Sequence, residues 1–167
     1  FTSYRDDNIG GDTNGDGASI PQKNDWGKIE FGADSNSNLD YVSIQYSGYG
    51  GKGALYVANY TIPIVGEHVV LENNRVNGIY LPEGILPIKA NTFHNYPTAP
   101  YYLDGDLTIP TGASLTIDPG TIVKIGPYED AIYVNGTLNA IGNSENIIYF
   151  TSYRDDNIGG DTNGDGA

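Results

Sequence analysis

The residues best suited to chemistry in this chain lie in one acidic segment, where oxygen-bearing side chains recur at alternate positions. Asp12, Asn14 and Asp16 follow this spacing, with Gly15 and Gly17 beside them. Three such oxygens, on a backbone that glycines allow to curl, form the first half of a calcium-binding loop of the EF-hand type. The spacing therefore predicts a calcium site. A solvated acidic loop that holds no metal is the alternative.

This loop departs from the full motif at one ligand. Its twelfth position, where Glu or Asp would bind the ion with two oxygens, holds Lys23. The missing ligand must come from elsewhere, and three carboxylates are candidates: Asp6, Asp7 and Asp25. Residues 1–18 hold four carboxylates and one arginine. A bound cation would relieve the repulsion between those carboxylates.

The segment is also duplicated. FTSYRDDNIGGDTNGDGA at residues 1–18 returns unchanged at residues 150–167, a period of 149 residues (150 minus 1). Such identity predicts that residues 1–167 are one unit of a tandem array, in which residues 150–167 open the next unit and identical repeats are the neighbours. The second copy supplies the equivalent candidate ligands: Asp155, Asp156, Asp161, Asn163 and Asp165.

The two copies lead to different expectations for the metal. If Asp25 completes the site, the first copy should bind calcium more tightly, because the second copy has no equivalent of Asp25. If the carboxylates within each copy suffice, both copies should be filled.

Composition limits the classes of function. The 167 residues suffice for one domain with its own core, and the absence of cysteine excludes disulfides and zinc sites built on sulfur. No apolar stretch approaches the roughly 20 residues of a transmembrane helix, so we expect no membrane insertion. Eight basic against 21 acidic residues give a net charge of −13, which disfavours nucleic acid as a partner. It suits divalent cations and an extracellular or cell-surface location.

Short apolar segments closed by Gly, Pro or Asn indicate an all-β fold. The clearest stretch, residues 107–126, reads as three strands separated by proline turns, and strands recur about every 20 to 25 residues. This pattern predicts stacked coils that share one core. Alternation places ten residues inward: Ile29, Val42, Ile44, Val69, Leu71, Ile88, Leu115, Ile117, Ile122 and Val134.

These strings resemble a known architecture. GDLTIPTGASLTIDPGTIVKIG, IYVNGTLNAIGNSENIIYFTS, GGDTNGDG, DWGKIEF and LDYVSIQYSG look like the right-handed parallel β-helix repeats of large secreted and cell-surface prokaryotic proteins, including adhesins. The partial DxNxDG loop is dockerin-like as well as EF-hand-like. The resemblance is weakest across residues 54–102. It implies the fold more firmly than the function, because the architecture serves lyases, epimerases, adhesins and stalks.

We expect a structural or adhesive repeat rather than an enzyme, because the basic residues are scattered and no paired-acid or Ser-His-Asp motif occurs. A carbohydrate-active β-helix domain is one alternative. The other is a non-catalytic module that binds surface glycans through tyrosines, the candidates being Tyr41, Tyr46, Tyr49, Tyr56, Tyr80, Tyr101 and Tyr102. Ordinary half-buried strand tyrosines would give the same pattern.

Overall fold

The computed structural model describes residues 1–166, and in that range the chain forms fourteen short strands and no helix. Residues 1–166 therefore contain no helix with the length and apolarity needed to cross a membrane. The strands are β1 Ile29–Phe31, β2 Asn38–Leu39, β3 Ser43–Gln45, β4 Leu55–Val57, β5 Ile64–Val65, β6 Val70–Glu72, β7 Ile79–Ile85, β8 Ala90–Phe93, β9 Tyr101–Ile109, β10 Ser114–Ile117, β11 Ile122–Ile125, β12 Ile132–Val134, β13 Thr137–Ala140 and β14 Tyr149–Ser152.

All pairings between these strands are parallel. The main sheet has the order β1-β4-β7-β9-β11-β14, with β12 paired to the second half of β9. A second sheet has the order β13-β10-β8, and two smaller sheets pair β2 with β5 and β3 with β6. Each strand thus pairs with its counterpart one coil later, which makes the fold a β-solenoid of about five turns. The predicted β-helix class is confirmed.

The length of each coil follows from the strand register. Ile79 pairs with Tyr101, 22 residues later, whereas Val123 pairs with Phe150, 27 residues later. Coils of this length bring apolar residues of successive strands into one interior stack. Ile44, Val69, Leu115 and Ile117 are buried there as predicted, and Ile29, Val42 and Leu71 pack against the same cluster while partly buried.

Two residues predicted to point inward are exposed instead. Ile88 is 74% exposed and lies outside any strand, directly after Pro87. Val134 is 46% exposed at the end of β12, which pairs only with β9 among the described residues. Ile122 is half-buried, because Val123 takes the interior position in β11. Val134 pairs with the buried Ile109 and therefore holds an interior position, but no later strand of residues 1–166 covers it.

Of the two longest strands, β7 was not predicted, and β9 was predicted only in its last part, from Leu107. β7 contains Pro82 and Gly84, which both disfavour strand interiors, and its pairing with β9 shifts register between these two residues. A bulge of this kind lets a strand continue past a residue that cannot donate to the ladder. Residues 54–102, where the family resemblance is weakest, therefore follow the same solenoid as the rest.

Candidate metal centre

The two acidic loops share most of their internal hydrogen bonds. In the first copy, Asp12 Oδ1 accepts from the backbone N–H of Gly15 (2.7 Å) and Asp16 (3.2 Å), and its Oδ2 accepts from Gly17 N (3.0 Å). The glycines have φ values of 70° and 95°, a region that favours residues without a side chain. The loop is closed around the first carboxylate by its own backbone.

The second copy repeats this closure. Asp161 Oδ1 accepts from Asp165 N (3.1 Å), and Asp161 Oδ2 accepts from Gly166 N (2.9 Å). The side-chain amide of Asn163 donates to Asp165 Oδ2 (2.8 Å), as that of Asn14 does to Asp16 Oδ2 (3.0 Å). Sequence alone therefore determines the loop conformation.

The base of each loop is held in the same way. Thr2 Oγ1 donates to Asp6 Oδ2 at 2.5 Å, and Thr151 Oγ1 donates to Asp155 Oδ2 at 2.6 Å. The hydrogen bond from Thr151 is the main reason that the pKa of Asp155 lies below its usual value. Asp6 and Asp155 thus have a structural role at the base of each loop.

The surroundings of the two loops differ. The first loop is largely exposed, whereas the second lies on the outer face of the main sheet. Thr162, only 1% exposed, accepts at its carbonyl from Asn77 N (2.8 Å), and Asn77 Nδ2 donates to the carbonyl of Asp161 (3.0 Å). Identical residues are therefore packed in one copy and solvated in the other.

Lys124, in β11, holds the second loop through two hydrogen bonds. Its side chain is 0% exposed, and Nζ donates to the carbonyls of Asp155 (2.9 Å) and Gly160 (2.6 Å). Burial lowers the pKa of Lys124, while the nearby carboxylates of Asp156, Asp155 and Asp161 act in the opposite direction. Sequence reasoning missed this residue, because a single lysine in an apolar strand does not indicate a loop above it.

Three carboxylates of the second loop converge. Asp156, Asp161 and Asp165 each offer an oxygen, and these oxygens all lie within 4.8 Å of one another. Asp156 Oδ1 is buried and has no hydrogen-bond partner. Clustered carboxylate oxygens with an unsatisfied acceptor suit a hard divalent cation such as calcium, so the residues present fit the ion that the motif predicts.

The first copy does not bring its candidates together in this way. The group in the second loop is the sole cluster of three such side chains within residues 1–166. Asp7, the counterpart of Asp156, instead accepts from Ser19 N at 2.7 Å. Asp25 accepts from Ser3 Oγ (2.6 Å) and from Gln22 N (3.0 Å). Asp25 therefore bonds to residues outside the DxNxDG loop.

Lys23, which stands where the calcium motif needs its last ligand, forms a hydrogen bond with the second loop. Lys23 Nζ donates to the carbonyl of Gly164 in the second loop. Lys23, which follows the first copy at the twelfth position of the calcium motif, thus contacts the second copy directly.

Three of the seven tyrosines considered for glycan stacking are buried and therefore unavailable to a ligand. The rings of Tyr56, Tyr80, Tyr102 and Tyr153 form a tyrosine stack along the main sheet, with centroid separations of 5.4, 5.5 and 6.0 Å. Tyr80 and Tyr102 are buried, as is Tyr101 in the core, and both Tyr80 and Tyr102 donate to the Asp104 carboxylate. Tyr41 and Tyr49 remain exposed, and Tyr46 is half-buried.

A groove of about 460 Å³ lies beside the end of this stack. Its walls include Lys23, Arg75, Asp104, Tyr128 and Tyr153. Tyr128 is 84% exposed, so its ring is open to a ligand. The groove therefore offers one exposed aromatic ring and two cationic side chains, beside the Asp104 carboxylate.

No family model matches this chain, and no curated protein or solved structure matches it significantly.

Proposed function

We propose that this chain is a structural and adhesive repeat of a long extracellular or cell-surface protein, with calcium stabilising its acidic loop. The duplicated segment carries the proposal, because the same residues fold in the same way at both ends of a solenoid whose coils stack along one axis. Stacked coils gain a shared core from each neighbour. A chain of such repeats extends a surface structure without needing an active site in every unit.

Calcium would act in the second loop. Asp156, Asp161 and Asp165 are the residues that would hold it. When bound, the ion supplies two positive charges that offset the repulsion between these carboxylates. Lys124 and Asn77 already fix the backbone of this loop to the outer face of the main sheet, so the loop is ordered for binding. A solvated acidic loop without metal is the competing interpretation.

Titration calorimetry and thermal unfolding, with calcium and with magnesium, test the metal. We expect calcium to raise the unfolding temperature and to bind at one site per chain. Asp161→Asn keeps the shape of the side chain but removes one charge, and should abolish most of the calcium-dependent shift. Asp12→Asn is the matched control in the first loop and should leave the shift in place. Equal losses in the two variants, or no calcium-dependent heat, would contradict the assignment.

The structural role is tested with polysaccharides. We expect no cleavage or epimerisation of acidic or neutral polysaccharides, since the carboxylates described above serve loops and turns. Turnover that disappears when one carboxylate is replaced would instead identify a carbohydrate-active domain.

Glycan binding without turnover is the second candidate function, and the groove at Tyr128 favours it. An exposed ring next to Lys23 and Arg75 suits an acidic sugar, because the ring stacks on the sugar face while the cations attract its carboxylate. Saturable binding of an acidic oligosaccharide that is lost in Tyr128→Ala, and kept in Tyr41→Ala, would support this function.

A further inference from the structure

The first residue of the chain forms backbone hydrogen bonds with β3. The amino group of Phe1 donates to Ser43 O (2.8 Å), and Phe1 O accepts from Gln45 N (3.0 Å). Both backbone polar groups of Phe1 therefore face β3.

The equivalent strand at the other end of the solenoid uses its opposite edge. In β14, Tyr149 N donates to Thr121 O (3.0 Å) and Tyr153 N donates to Ile125 O (3.0 Å). Alternate residues of a strand direct their N–H groups to opposite sides. The backbone N–H of Phe150, between Tyr149 and Thr151, therefore points away from β11. No strand among residues 1–166 pairs with that side of β14.

Phe150 and Phe1 are the same residue of the duplicated segment. The two copies thus use opposite edges of the same segment for pairing. The second copy bonds to β11 through one edge, and the first copy bonds to β3 through the other. The backbone N–H and C=O that Phe1 directs to β3 correspond to the backbone N–H and C=O of Phe150, which no strand of residues 1–166 pairs with. A single strand could satisfy both neighbours without changing its register.

The loops point to the same arrangement. Thr162 is buried against the outer face of the main sheet, whereas its counterpart Thr13 is exposed. A segment shared between two repeats would carry both sets of contacts at once: β3 of the following repeat and the outer face of the preceding one.

We propose that repeats join head to tail through one shared segment, in which Phe150–Gly166 of one repeat takes the place that Phe1–Gly17 holds in the next. The free edge of β14 then binds β3 (Ser43–Gln45) of that second copy, and the main sheet of one repeat continues into the β3 sheet of the next. This inference rests on the proposed role as a tandem repeat, and it names the strand that joins the units.

The test is an extended chain, made by following Ala167 with a second run of Ser19–Ala167, which places the duplicated segment between two repeats. Hydrogen exchange is compared with that of the original chain. We expect the Phe150 amide to exchange at least about 100-fold more slowly in the extended chain, because it gains a partner in the second β3. The Thr151 amide faces β11 and should be equally protected in both chains.

A proline variant tests the same bond from the other direction. Phe150→Pro removes the N–H that faces the second β3 but no N–H that faces β11, whereas Phe150→Val keeps both. Units that share a strand should unfold together. We therefore expect one unfolding transition for the extended chain and for its Phe150→Val variant, and two unfolding transitions for its Phe150→Pro variant.

An unprotected Phe150 amide in the unsubstituted extended chain would overturn the proposal, as would loss of protection at Thr151. That measurement does not depend on whether the proline variant folds. The calcium and polysaccharide experiments use the original chain, so they test the structural role independently of the shared segment.

Discussion

Asn74 offers the sharpest test of how the coils are held together. Its side chain is 0% exposed at the turn after β6. Oδ1 accepts from both Ser47 N (2.9 Å) and Ser47 Oγ (2.8 Å), and Nδ2 donates to Ile44 O (2.7 Å) and to Asn77 Oδ1 (3.1 Å). One amide therefore joins two successive coils.

Replacing Asn74 by alanine removes all four of these bonds. The N–H of Ser47 and the carbonyl of Ile44 are then buried without their amide partner, and each such group costs about 1–3 kcal/mol. The Ser47 hydroxyl can rotate toward another acceptor, so the loss of its bond adds less to the free-energy cost. We expect Asn74→Ala to lower the free energy of unfolding by about 3–5 kcal/mol, which is a large part of the roughly 5–15 kcal/mol of a typical domain.

Urea unfolding followed by circular dichroism measures this change. The midpoint should fall while the slope stays constant, since the same surface is exposed on unfolding. Asn73→Gly is the matched control, because Asn73 is exposed and its φ of 56° suits glycine; it should shift the free energy by less than about 0.5 kcal/mol. A cost below about 1 kcal/mol for Asn74→Ala would refute the reasoning.

Three further outcomes follow from other parts of the structure. Lys124→Met should destabilise the protein by about 2 kcal/mol, because two carbonyls lose the charged donor that holds the second loop; thermal unfolding and hydrogen exchange in the second loop measure it, and an unchanged loop would contradict it. Burial raises the pKa of Tyr60 to about 12 from an ordinary value of 10, so the unfolded state loses this proton first as the pH rises. The free energy of unfolding should then fall by about 1.4 kcal/mol per pH unit between pH 10 and 12 from this residue, and pH-dependent unfolding should show a shallower fall in Tyr60→Phe. Gly53→Ala should cost about 1–3 kcal/mol, because the new methyl group would lie 2.6 Å from Tyr80 Cβ, whereas Gly27→Ala enters open space and serves as the control in the same urea assay.

The sequence predicted the parts of the fold that local chemistry determines. Pro110 and Gly112 precede β10, and Pro119 and Gly120 precede β11, so the predicted turns and strands were confirmed there. Such residues fix backbone angles whatever lies around them. The β7 strand was missed because Pro82 and Gly84 disfavour a strand locally, and pairing with β9 on the next coil outweighs that preference.

The candidate site shows the same division. The DxNxDG segment folds alike in both copies, because the hydrogen bonds of Asp12 and Asp161 lie within the loop itself. The DxNxDG spacing did not anticipate which carboxylates converge, since Asp7 and Asp156 have identical sequence neighbours on both sides within the duplicated segment but different spatial surroundings. Ser19 satisfies the first, whereas the second lies near Lys124. Contacts between distant coils decide such differences, and one sequence contains no direct record of them.

The parallel pairing of the main sheet also determines how this protein would respond to a pulling force. Successive coils are joined by hydrogen bonds that run along the stacking axis, with adjacent strands about 4.8 Å apart. A pull along that axis loads the coils in series, so they should detach one at a time rather than break together. The segment of 22 residues between Ile79 and Tyr101 can extend to roughly 75 Å once released. Each coil would lengthen about fifteen-fold as it yields, which makes the solenoid an extensible element that absorbs mechanical work before its backbone is taut.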